Sequence, residues 1–188
     1  MADTGDGAIG RSSMPDGNEA PRVALRVISD AIMTTPMRAK KAESNMSRIA
    51  LLGTWKLVSY EVICNSGEKS TPYGEHPMGY LSYSADGRMQ VIGTASGRSV
   101  PRNSTPTDGE HLVLHKTMFA YGGTYSVEAG KVTHHVDISW NEVWNGTDQV
   151  RDFVVDGNTL TITSRLIDAA TAKEALYVVI WEKIIPLR

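Results

Sequence analysis

From residue 50 onward, apolar and polar residues alternate in short runs, and most runs end on a turn signal. A strand turns successive side chains to opposite faces, so alternation describes a surface with one dry side and one wet side. The runs are Leu51–Cys64, Met78–Ser84, Arg88–Thr94, Tyr121–Val127, Val132–Ser139, Gln149–Val155, Leu160–Leu166 and Leu176–Ile185. Asn65-Ser66-Gly67 closes the first run, and Ala85-Asp86-Gly87, Glu128-Ala129-Gly130 and Asp156-Gly157-Asn158 lie between neighbours and read as tight hairpin turns. Consecutive hairpins predict an all-β, antiparallel fold of eight to nine strands. A closed barrel removes exposed strand edges, and the Cys…Trp…Cys spacing of a disulfide-pinned sandwich is absent, so a barrel is expected. Such a barrel is wide enough for one small ligand. Residues 95–108 read as a surface loop, and Asp108 is expected to cap a short helix over Glu110–Phe119, where Leu112, His115 and Phe119 repeat at helical spacing.

Residues 1–49 are a different kind of sequence, read as an extension to a domain over residues 50–188. Residues 1–21 are rich in Gly, Asp, Ser and Pro, lack aromatics, and are expected to be disordered. Leu25, Ile28 and Ile32 share a helical face, which predicts a short helix over residues 22–32, either a frayed extension or a docking lid. Asp3 and Asp6 stand where a secretory signal would be basic, and a translation start at Met46 stays open. A cytoplasmic location is expected.

With 19 Lys+Arg against 21 Asp+Glu, the net charge of −2 offers no footprint for nucleic acid or an anionic membrane. No apolar run approaches the roughly 20 residues of a membrane-spanning helix. The lone Cys64 excludes an internal disulfide and multi-cysteine zinc sites. The GxxxxGK[ST] phosphate loop, HExxH and the GxSxG elbow are missing. His134 and His135 are adjacent on a strand and point to opposite faces, so neither metal nor cofactor is expected. The expected partner is a small apolar or aromatic metabolite, with a homodimer left open.

Strand parity then nominates the interior. Val132, His134, Val136 and Ile138 share one face, and the apolar members should carry His134 inward. On the first strand Lys56 prefers water, which turns Trp55, Ser59 and Glu61 inward. Tyr121, Gly123 and Tyr125 form an aromatic stripe, with Gly123 leaving room for a ligand to approach the backbone. Arg151 alternates with Phe153 and Val155; buried, it needs an acidic or ligand partner, and outside it would pair with Asp137 or Asp152. The candidate proton-handling and charge-stabilising groups are His134, Glu61, Tyr125 and Arg151. The candidate ligand contacts are Trp55, Ser59, Tyr83, Met89, Tyr121, His135, Trp140, Trp144 and Trp181, with Trp140 or Trp144 at the mouth. His134 as a satisfied core histidine is the competing reading.

An ordered set of blocks carries a family resemblance. Gly53-Thr54-Trp55 resembles the lipocalin G-x-W element. Gly79-Tyr80-Leu81-Ser82-Tyr83, Tyr121-Gly122-Gly123-Thr124-Tyr125, Val132-Thr133-His134-His135-Val136, Trp144 through Arg151, and Trp181-Glu182-Lys183 together resemble the short intracellular lipocalin-like domain of bacteria and fungi. The resemblance covers residues 50–185 and implies an eight- or nine-stranded barrel with a central cavity. The family's paired histidines correspond to His134 and His135, and its G-T-D-Q-V-R to Gly146 through Arg151. Similar barrels encoded with biosynthetic pathways act as cofactor-free cyclases, so the resemblance implies a cyclase or isomerase of secondary metabolism. The alternative is a non-catalytic carrier of the same kind of ligand.

Overall fold

A twelve-residue run free of proline, Gly53–Cys64, forms the long first strand, β1. The structure is a computed structural model and describes residues 38–167 and 174–185. The expected disordered stretch and the helix expected over residues 22–32 lie outside the described residues. After β1 come β2 (Lys69–Ser70), β3 (Met78–Tyr83) and β4 (Arg88–Thr94). A helix, Asp108–Lys116, leads to β5 (Met118–Glu128) and β6 (Lys131–Ser139). A single 3-10 turn at Glu142–Trp144 precedes β7 (Asp148–Asp156), β8 (Thr159–Ile167) and β9 (Glu174–Lys183). The strands pair antiparallel in the order β2-β1-β3-β4-β5-β6-β7-β8-β9. A further β1–β9 pairing, from Trp55 opposite Lys183 to Cys64 opposite Ala175, closes the sheet into an eight-stranded barrel with β2 as an extra strand.

Two boundaries differ from the sequence reading. Leu51 is the last residue of a helix rather than the start of β1. The helix before β5 is capped by Thr107, not Asp108: Thr107 and Glu110 form a reciprocal capping box, which satisfies two otherwise orphaned backbone N–H groups. Phe119 lies beyond that helix, in β5.

The helix over residues 38–51, α1, was not legible from periodicity. Its less exposed residues include Ser44, Ser47, Arg48 and Leu51, spaced i, i+3, i+4 and i+7. That is a helical face, but a mostly polar one. It docks through hydrogen bonds instead of apolar area: the Ser44 hydroxyl donates to the Val127 carbonyl at 2.6 Å, and Arg48 donates to the Ala85 carbonyl at 2.9 Å. Arg48 also lies 5.4 Å from the Tyr125 ring centre. Among its described residues Leu51 alone reaches the core, where it and Trp55 are fully buried, and its carbonyl accepts the Trp55 indole N–H at 2.8 Å. Leu51→Ala should therefore cost about 2–5 kcal/mol, the usual range for a buried leucine. Urea unfolding should show a lower midpoint at unchanged slope. A midpoint within error of the parent would mean that α1 does not close the core.

Two bulges break strand parity. On β1, Leu57 faces Trp181 but Ser59, not Val58, faces Ile180. On β6, Gly123 faces Val136 while Gly122 faces Ile138, leaving Asp137 unmatched. An extra residue in a strand moves everything beyond it to the other face. Ile138, expected inside with Val132, His134 and Val136, is consequently 65% exposed.

Candidate functional site

Alternate residues of the last three strands point into the barrel: Gln149 and Arg151 from β7, Ile162, Ser164 and Leu166 from β8, Tyr177, Val179 and Trp181 from β9. With Tyr60 from β1, Tyr121 from β5 and His134 from β6 they enclose a cavity of about 490 Å³. Trp140, Asn141 and Trp144, from the connection between β6 and β7, complete its wall. The two indoles pack edge to face at 5.2 Å, and Trp144 meets Tyr121 in the same way at 5.4 Å.

The ring of His134 is 1% exposed and both its nitrogens are engaged. Nε2 lies 2.7 Å from the Tyr83 hydroxyl and Nδ1 2.9 Å from the Tyr121 hydroxyl. A family model described as a lipocalin-like domain matches residues 52–184. The chain belongs to that family. No curated protein matches the chain.

Within this lipocalin-like barrel the nominated residues separate into three groups. His134, Arg151, Tyr121, Trp140, Trp144 and Trp181 line the cavity. Trp55, Tyr83, Met89 and Tyr125 face inward but belong to the packed core. Tyr125 donates its hydroxyl to the Ser84 carbonyl at 3.1 Å, which places it away from the cavity lining. Ser59, Glu61 and His135 are corrections. The β1 bulge turns Ser59 and Glu61 off the lumen side and brings Tyr60 in; Glu61 instead meets Lys69 at 3.5 Å. His135 sits on the outer face, between Ser126 at 2.9 Å and Asp148 at 2.7 Å. Gly123 also has a different role from the one read in the sequence. A Cβ there would stand 1.9 Å from the His135 carbonyl oxygen, so the close neighbour is the β6 backbone rather than a ligand.

Arg151 is inside, not outside. Asp137 and Asp152, its expected exterior partners, bond to Arg88 and Lys131. The sequence reading also missed Tyr60, Tyr177, Gln149 and Ser164. The last three alternate with Arg151, Ile162 and Val179 on their strands, and that parity could have found them. Among the described residues no group of three or more His, Cys, Asp or Glu could hold a metal ion. No described helix is long and apolar enough to cross a membrane.

Burial, reinforced by the nearby Arg151 and His135, pushes His134 down to about 3. The ring is therefore neutral at pH 7, with one N–H donor and one bare nitrogen. Tyr83 is 2% exposed, and among the described residues its hydroxyl has no bonding partner other than His134. A buried hydroxyl proton needs an acceptor, so Tyr83 donates to Nε2 and Nδ1–H donates to Tyr121. That assignment leaves the Tyr121 proton free to point at a cavity occupant. Burial raises Tyr121 to about 12, so it acts as a neutral phenol.

A pH dependence follows. Unfolded, the imidazole takes a proton near its ordinary value of 6.5; folded, it resists until about 3. His134 stability is thus complete above 6.5 and is lost as pH falls through that window, at up to about 1.4 kcal/mol per pH unit. Urea midpoints measured in steps from neutral pH to about pH 4 should drop, and His134→Gln should flatten the slope. An unchanged slope in the variant would assign the acid sensitivity elsewhere.

Proposed function

We propose that this lipocalin-like barrel binds one small, largely apolar metabolite in its cavity. The observation that carries the reading is the wall itself: aromatic and aliphatic side chains surround a space of about 490 Å³, within the size range of small-molecule sites, with a few polar groups converging on it. Trp181 lines the cavity with its ring; its indole N–H is buried within the wall and has no hydrogen-bond partner among the described residues. The test uses phenylnaphthylamine, an uncharged apolar dye that brightens when it leaves water. The full chain should bind it with saturation at one site, and Ser164→Phe, which fills the lumen from β8, should abolish the binding while the far-ultraviolet spectrum stays that of a β-barrel. Equal binding by the folded variant would place the dye elsewhere and overturn the reading.

A second reading has its own observation. The Tyr83–His134–Tyr121 chain presents a phenolic proton to the cavity, backed by a neutral imidazole that can compensate as that proton moves. This favours a cofactor-independent cyclase or isomerase of secondary metabolism, in which the wall folds the substrate and Tyr121 assists proton transfer. It requires that a bound metabolite be converted, without added cofactor, to a product of the same mass.

A further inference from the structure

We propose that the ligand of this cavity is an acid: a small apolar or aromatic molecule whose carboxylate pairs with Arg151. The inference deepens the small-molecule reading above and rests on it.

Arg151 is 9% exposed and lines the cavity. Its Nη1 donates to the Val150 carbonyl at 2.9 Å and its Nη2 to Gln149 Oε1 at 3.0 Å. Both acceptors are neutral. A guanidinium is always charged and carries five N–H donors, and burying such a charge is costly without a counter-charge. None is supplied by the described residues. Among the described residues no Asp or Glu lines the cavity, and the four ion pairs use Glu61, Asp137, Asp148 and Asp152 with other cations.

The group is also held ready. Gln149 Nε2 donates to Thr147 Oγ1 at 2.8 Å, which turns the amide oxygen toward Arg151. The arginine therefore keeps its place without an anion, and its remaining donors are available to one. A planar carboxylate matches the guanidinium fork, and a single positive charge in a neutral wall matches a single negative one. Dianionic phosphate would leave one charge uncompensated. The Tyr121 phenol stands on the same wall as a further donor.

The test compares naphthaleneacetate with its methyl ester by titration calorimetry on the full chain. The two probes share a ring system and differ in the charge. The acid should bind at least about ten-fold tighter than the ester, the scale of one hydrogen-bonded charge. Arg151→Met should remove that preference, bringing acid and ester to within about two-fold of each other. Arg151→Lys, which keeps the charge but loses the fork, should retain part of it and serves as the second variant if the methionine form fails to fold. Ester bound as tightly as acid by the parent, or an acid preference surviving in Arg151→Met, would overturn the anion assignment while leaving the binding cavity standing. Binding of neither probe would overturn both.

Discussion

Gly123→Ala should destabilise the barrel by about 3 kcal/mol or more, whereas the same change one residue earlier, Gly122→Ala, should be neutral or gain up to about 0.5 kcal/mol. The contrast comes from the β6 bulge. A Cβ on Gly123 would stand 1.9 Å from the His135 carbonyl oxygen and 3.1 Å from the Asp137 amide nitrogen. Those are backbone atoms and cannot rotate away, so the strands must separate or the bulge must dissolve. A Cβ on Gly122 meets nothing closer than the Met89 carbonyl oxygen at 3.4 Å, an ordinary contact. The bulge has consequences beyond stability. It directs Asp137 to Arg88 at 2.6 Å on the outer surface. The Val136 amide and carbonyl next to it bond to Thr147 and Gly146, which bracket the end of the connection that carries Trp140 and Trp144. Urea midpoints and tryptophan fluorescence should therefore shift together in Gly123→Ala. A midpoint equal to the parent's would mean that the two strands can relax around the methyl group.

The closed sheet and its hairpins were legible because period two and turn glycines are local signals. The Val132–Val136 parity that carries His134 inward is one stretch where that reading needs no correction, as is the alternation of Arg151 with Phe153. The failures share one cause, which is a change of parity that no local residue announces. Leu57-Val58-Ser59 contains neither glycine nor proline, yet the register shifts there, and with it Ser59 and Glu61 leave the lumen side and Tyr60 enters. The second bulge does the same to Ile138. Its glycine is on the opposite strand, so no reading of β6 alone would find it. The helix α1 was hidden for a different reason: its docking face is made of Ser44, Ser47 and Arg48, and apolar periodicity does not register a helix held by side-chain hydrogen bonds. The site was thus partly legible. Which residues share a strand face could be read, but how Tyr83 and Tyr121 come to hold the two nitrogens of His134 depends on pairing across β3, β4, β5 and β6.

On the cyclase or isomerase reading proposed above, His134→Ala should lower conversion of a cavity-bound metabolite by roughly 10²–10⁴-fold, the range for a general acid–base group, while the dissociation constant for that metabolite changes much less. The metabolite to test is whichever one native mass spectrometry of the purified protein identifies in the cavity. Tyr121→Phe tests the same idea more cleanly, because it keeps the ring and removes only the hydroxyl. On that reading Tyr121 is the group that would meet the substrate, and His134, 2.9 Å behind it, would position and compensate it. Both variants should therefore fall on the rate and not on binding, and their effects should not add, since they interrupt one relay. Tyr83→Phe should be milder, because it leaves the Tyr121–His134 bond in place. The competing account gives a different pattern. His134 is buried among Tyr83, Tyr121 and Tyr125, so as a packing residue its loss would lower stability, leave turnover per folded molecule unchanged and make Tyr121→Phe nearly silent. A full rate in folded Tyr121→Phe would eliminate the proton relay and leave the barrel as a carrier.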